Sequence, residues 1–144
     1  MLRSEVVVTL PGHPAPKGSL KCVGRGGRHQ LIEDNPRSAG WRSTIAGHVR
    51  GRIKGTPDRH QPIGIEVTLT VDRPKSVRTV HPVTRSSYDV DKLARLVLDA
   101  LQDAAVIPDD AAVVELVTRK SYPGGPLPDA LGHPGARIRI YPIP

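Results

Sequence analysis

The 144-residue sequence contains no phenylalanine, one tryptophan, one cysteine and three tyrosines. With so few aromatics, a core must come from Val, Ile, Leu and Ala. A platform that stacks the bases of a single strand has little to be built from. The lone Cys22 excludes an intrachain disulfide framework and any cysteine-rich zinc module. The six histidines are scattered, with no His-x-x-x-His spacing, so a zinc site is not expected. No apolar run approaches the roughly 20 residues that a membrane helix needs. The apolar stretch near the start is too short for a secretory signal, and Glu5 precedes it. These absences point to a soluble cytoplasmic protein without a membrane partner. The length suits one domain, residues 1–144, large enough for a real core.

Charge is present in excess and unevenly. The formal net charge is +7. Residues 1–80 carry 14 Lys/Arg against 6 Asp/Glu, whereas 81–144 carry 7 against 8. A chain this basic suggests a polyanionic partner, commonly nucleic acid. Yet between Ser86 and Glu115 stand seven acids and only two bases, Lys92 and Arg95. Carboxylates repel phosphate, so such a knot is odd in a plain phosphate binder. A divalent ion bridging carboxylate to phosphate removes the conflict. Solvated helix and turn acids are the bland reading of the same residues.

Along the chain, Glu5–Leu10 reads as a strand stopped by Pro11-Gly12. His13–Arg28 reads as a Pro-, Gly- and Lys/Arg-rich loop. Asn35-Pro36 offers a cap and first residue for a helix over about 38–54, striped by Trp41, Ile45, Val49 and Ile53 and ended by Gly55-Thr56-Pro57. Ile63–Val71 alternates strictly and reads as a strand with one buried and one polar face. Residues 72–88 lack periodicity and read as a mobile basic loop. A second helix is expected over about 91–103, with Leu93, Val97, Leu98, Ala100 and Leu101 on one side. Val113–Lys120 and Arg137–Tyr141 read as strands, and 121–136 between them as a second mobile loop. The order is β, α, β, α, β, β: an α+β fold with a small mixed sheet and two main helices.

Asp89 and Asp91 lie two apart where an extended segment enters the second helix, so both carboxylates can face one way. Asp109-Asp110 precede the next strand and could close a three-carboxylate cluster. Such a set suits Mg²⁺ or Mn²⁺, which can activate water for attack at phosphorus. Lys120 and Arg95 are candidates for holding the phosphate or the leaving group. Helix capping and turn formation explain the same aspartates without chemistry, and spacing alone leaves both readings open. Asp91, Arg95 and Asp99 could form a ladder on one helix face. The basic loop residues Lys17, Lys21, Arg25 and Arg28, and Arg73, Lys75, Arg78 and Arg85, are candidates for DNA-backbone contacts.

The run Asp89-Val-Asp-Lys-Leu-Ala-Arg-Leu-Val-Leu-Asp-Ala-Leu, then Ile107-Pro-Asp-Asp-Ala-Ala-Val and Lys120, resembles the signature of the RusA-type Holliday junction endodeoxyribonucleases. Pro14-Ala-Pro-Lys-Gly resembles that family's opening motif. The resemblance implies a RusA-like single-domain fold and a homodimer. It implies an Mg²⁺-dependent nuclease, often phage- or prophage-borne, that nicks four-way and other branched DNA in symmetric pairs during recombination and repair. No small-molecule cofactor is implied. On this sequence the family's essential acids fall on Asp89, Asp91 and Asp110, which would be metal-binding and catalytic. Two positions depart: Lys92 stands where the family has Asn, and Arg95 where it has Lys. Arg95 can steady a phosphate but gives up a proton far less readily than Lys. The alternative is a non-catalytic nucleic-acid-binding protein, either an inactive relative or an architectural module. A nuclease of another type is a third reading, though the Glu-x-Lys pattern is not met at Glu115.

Overall fold

The computed structural model describes residues 1–18, 20–24, 26–27, 30–33, 35–54 and 58–144, with backbone alone over 20–23 and 30–33. Its elements are β1 (Val6–Pro11), β2 (Leu20–Val23), β3 (Gln30–Glu33), α1 (Ser38–Val49), β4 (Ile63–Thr70), α2 (Val90–Asp103), β5 (Val113–Ser121) and β6 (Gly135–Pro142). Short 3₁₀ turns at Arg85–Ser87 and Asp110–Ala112 lead into α2 and β5.

Four strands form one mixed sheet in the order β1-β6-β4-β5. β6 runs antiparallel to both β1 and β4, and β4 runs parallel to β5. The expected α+β architecture with two helices is therefore present. β5 occupies one edge and β1 the other.

Register sorts the side chains into two faces. Val8 and Leu10, Ala136, Ile138 and Ile140, and Ile65, Val67 and Leu69 share one face and are all buried. Trp41, Ile45 and Val49 of α1 and Leu93, Leu96, Val97, Ala100 and Leu101 of α2 join the same core. α1 lies over β1, and α2 over β5. The aliphatic composition thus suffices, with Trp41 (3% exposed) as the aromatic exception on α1. Gly12 shows why a glycine follows β1. It holds φ +151°, and a Cβ there would run into the Trp41 ring.

The other face was expected to be polar and open along β4, but Thr68 and Thr70 are buried. The cover is the 121–136 segment: the Leu131 N–H donates to Thr70 Oγ1 at 3.0 Å, and the Gly124 N–H donates to the Leu131 carbonyl at 2.8 Å. Ser121 itself belongs to β5, and Gly135-Ala136 belong to β6. Further down, this face is ionic. Arg139 pairs with Glu5 at 2.6 Å and Glu66 at 3.9 Å, and Arg119 with Glu66 at 3.5 Å.

Other boundaries also differ from expectation. β2 and β3 form a hairpin inside and beyond the stretch read as a loop; their four-residue strands give too little alternation to show through the Gly and Lys/Arg content. α1 ends at Val49 rather than near 54. Gly51 at φ +81° takes the left-handed conformation that closes helices, so Ile53 packs from outside the helix. Asn35-Pro36 form a turn ahead of the helix, where the Asn35 side chain accepts from the Arg37 N–H at 2.9 Å. The Gly55-Thr56-Pro57 stop lies outside the described residues.

Ile138 stands on a central strand with no exposure. Ile138→Ala is expected to cost about 2–5 kcal/mol through lost burial and a residual cavity. Urea unfolding checks this, and a loss below about 1 kcal/mol would place the core elsewhere.

Candidate active site

α2 owes its definition to its sequence: an unbroken apolar stripe, no Gly or Pro, and an extended Asp89 at its N-cap. Asp89 is 70% exposed at its side chain, and Asp91 sits in the first turn. Two carboxylates thus stand at the positive end of a helix, as the spacing suggested. The chain reaches Asp89 through a constrained bend. Tyr88 holds φ +67°, a conformation that non-glycine residues adopt at a cost of about 1–3 kcal/mol.

Lys120 fastens that bend. Near the C-terminal end of β5, its side chain lies on the helix-covered face beside Leu69. Its Nζ donates to Ser87 Oγ at 2.9 Å and to the Tyr88 carbonyl at 2.7 Å. Partial burial holds the Lys120 ammonium below the usual lysine range, and the negative Asp89 opposes that shift. Lys120 therefore sits next to Asp89, while Ser87 and Tyr88 emerge as its anchors. The sequence sets Tyr88 beside the aspartates but marks neither the bend nor Ser87, because a positive φ at tyrosine has no compositional signature.

Asp110 meets α2 beyond its first turn, within the fields of Arg95 and Asp99. It opens the turn that feeds the N-terminal end of β5, where Asp109 accepts from the Ala111 N–H at 2.8 Å. From Val113 to Lys120 a strand rises about 23 Å, so Asp110 and Lys120 belong to opposite ends of β5. Desolvation, then the charges of Asp99 and Asp109, raise the Asp110 carboxyl above the usual range; Lys17 and Arg95 oppose this. Asp91 and Asp99 are two helical turns apart, about 12 Å along the axis. Among the described residues, no group of three or more His, Cys, Asp or Glu gathers at metal-binding distance. The donors suit a hard divalent ion in kind, but one chain as it stands does not bring Asp89, Asp91 and Asp110 together.

The basic candidates divide. Lys17 Nζ pairs with Asp99 at 3.0 Å, and its backbone N–H donates to the Lys92 carbonyl at 3.0 Å. The Pro14-Ala15-Pro16 stretch before it is buried, and Ser38 Oγ donates to the Pro16 carbonyl at 2.6 Å. This segment clasps both helices. Asp99 is thus met by Lys17 and, at 3.8 Å, by Arg42, not by an Asp91–Arg95–Asp99 ladder. Arg95 is exposed on α2. The Arg73 guanidinium lies over the Tyr122 ring at 4.8 Å, while Lys75, Arg78 and Arg85 are exposed on the 72–88 segment. Lys21 lies on β2, its side chain outside the described residues; Arg25 and Arg28 lie outside them altogether.

A small α+β domain thus opens one helix with paired aspartates, sets Lys120 beneath them and carries exposed cations on the neighbouring 72–88 segment. The chain belongs to the RusA endodeoxyribonuclease family, whose model matches residues 11–140. The family resolves Holliday junctions, binds branched DNA and is in general metal-dependent. No curated protein matches the chain. Among the described residues, no helix is long and apolar enough to cross a membrane.

Two expectations follow. Because the fold holds the proton on Asp110 more tightly than the unfolded chain does, ionised Asp110 weakens the metal-free fold above its raised pKa. Asp110→Asn should therefore raise metal-free stability at neutral pH, by no more than about 0.5 kcal/mol because the exposed carboxyl is screened by solvent. The gain should fade as pH falls below the ordinary Asp value of 3.8. Thermal melts at several pH values check the sign. Second, Lys92 Nζ lies 3.7 Å from Asp89 Oδ2. Lys92→Asn removes that competing cation and should tighten Mn²⁺ binding by roughly two- to fivefold, given about 0.3–0.5 kcal/mol for an exposed helix pair plus relief of cation–cation repulsion. Calorimetric titration checks it.

Proposed function

We propose that the protein is an Mg²⁺-dependent Holliday junction resolvase acting on four-way and other branched DNA in the cytoplasm. Mn²⁺ is the expected substitute. The observation that carries this reading is the acidic mouth of α2, Asp89 and Asp91, set against Lys120 in an otherwise basic chain of this family. Asp89, Asp91 and Asp110 are the proposed metal ligands. The ion, when bound, supplies charge neutralisation at the attacked phosphate.

The chain's own residues have separable roles. Lys120 keeps Tyr88 in its bend and so aims Asp89; it also places a cation beside the phosphate position. Arg95, exposed one turn beyond Asp91, can clamp a phosphate oxygen but is a poor proton donor. Lys75, Arg78 and Arg85 offer backbone contacts, which position DNA without reading its sequence. Arg73 is steadied by Tyr122 for the same use. Two copies of the chain would match the near-two-fold symmetry of a junction and make paired, symmetric nicks.

A non-catalytic junction-binding relative is the second reading. It draws on Lys92, which occupies Asp89 with a positive charge.

The test is cleavage of an end-labelled synthetic four-way junction beside a linear duplex. Nicking of the junction, loss of nicking in EDTA, and loss in Asp91→Asn with junction binding retained are expected. The Asp91→Asn rate should drop by at least about 10³-fold, as for removal of a group acting at the transition state. Junction binding without nicks in Mg²⁺ or Mn²⁺ would select the non-catalytic reading.

A further inference from the structure

β5 is a nine-residue edge strand, paired with β4 on one side among the described residues. Leu116, level with buried Ile65 on the helix-covered face, is 42% exposed, and Val114, the unpaired extra residue where the β4–β5 register shifts, is 62% exposed. Long, open, apolar edges invite a further strand, and folded proteins normally cover them. β5 contains no proline to block such pairing.

The edge is also complementary to itself. With the helices of both copies on one face, an antiparallel two-fold pairing must centre on a residue. Centred on Val117, it sets Glu115 opposite Arg119 of the second copy, twice. Leu116 then faces Thr118 on the helix-covered face. Centring on Glu115 instead would set like charges opposite one another, which destabilises a pair. Centring on Leu116 leaves Glu115 against Val117.

Antiparallel pairing has a further result. It carries the start of one β5 to the end of the other. The turn that holds Asp110 thereby approaches the end where Lys120 fastens Tyr88 and Asp89. Carboxylates that one chain does not gather are thereby brought toward one another by two.

We propose that each active site is shared between subunits: Asp89 and Asp91 come from one copy and Asp110 from the other, across a two-fold axis at Val117 of β5. The proposal rests on the metal-nuclease reading for its ligand set. It explains why one chain leaves the three acids apart, and it makes the two sites of a dimer mutually dependent.

The decisive experiment mixes two inactive variants. Asp91→Asn and Asp110→Asn chains carrying different tags are co-expressed, and the mixed dimer is purified through both tags. With shared sites, one site of the mixed dimer carries both substitutions and the other is wild type. The mixed dimer should bind one Mn²⁺ by electron paramagnetic resonance, at wild-type affinity, and nick one strand per junction. Each variant alone should bind Mn²⁺ at least roughly tenfold more weakly. If both ligand sets belong to single chains, the mixed dimer has no intact site, and absence of tight Mn²⁺ binding overturns the proposal.

Leu116→Asp adds a measurement without a catalytic residue. It should yield a monomer by light scattering and weaken Mn²⁺ binding together. A folded monomer with full Mn²⁺ affinity overturns the proposal, as does a monomeric wild-type chain. Restored Mn²⁺ binding without nicking of any DNA would uphold the shared site while rejecting the resolvase reading.

Discussion

Lys120 reaches across from β5 to the Tyr88 carbonyl, and much of the site hangs on that reach. It joins the sheet to the bend that opens α2, and the bend is one that tyrosine adopts only when held. The parallel pairing of β4 with β5 makes the contact possible. It puts Lys120 level with Leu69, near the C-terminal end of β4, where the chain soon leaves for the 72–88 segment and returns as Asp89. A charged donor to a half-buried carbonyl contributes about 1.5–3 kcal/mol, enough to offset the strain at Tyr88. The same pairing sends Asp110 to the other end of β5. One constraint therefore both positions Asp89 and keeps Asp110 away from it.

The two faces of the sheet divide the labour. The helix-covered face is almost wholly aliphatic from β1 to β4 and turns partly exposed only at β5, where Leu116 stands 42% exposed. The opposite face carries an ionic lattice below and the 121–136 cover above. That cover gives the long Pro- and Gly-rich segment a structural purpose: it satisfies Thr70 and shields Thr68. The buried Pro14–Pro16 stretch does similar work between the helices, which leaves Lys17 committed to Asp99. Lys75, Arg78 and Arg85 of the 72–88 segment, by contrast, stay exposed.

Much of this was legible in the sequence where periodicity was strong. α2 was placed within one residue because its stripe is unbroken, and β4 within one residue because its alternation is strict. The end of α1 was not, since Gly51 closes the helix while Ile53 still fits the apolar period. The β2–β3 hairpin was hidden by strands of four residues. The pair Asp89 and Asp91 could be set at a helix entrance from spacing alone, because capping is local. Their distance from Asp110 could not, because it depends on which end of β5 meets α2. Nor could the pairing of Asp99 with Lys17, which joins residues 82 positions apart. Local rules carry local geometry; non-local pairing had to come from the fold.

Crystals of the protein loaded with Mn²⁺ would test most directly whether a divalent ion sits at the mouth of α2. Anomalous scattering locates the ion without reference to activity. The expected result is a peak touching the carboxylates of Asp89 and Asp91. A peak at Asp99 and Asp103 instead, or none at a concentration that supports nicking, would contradict it.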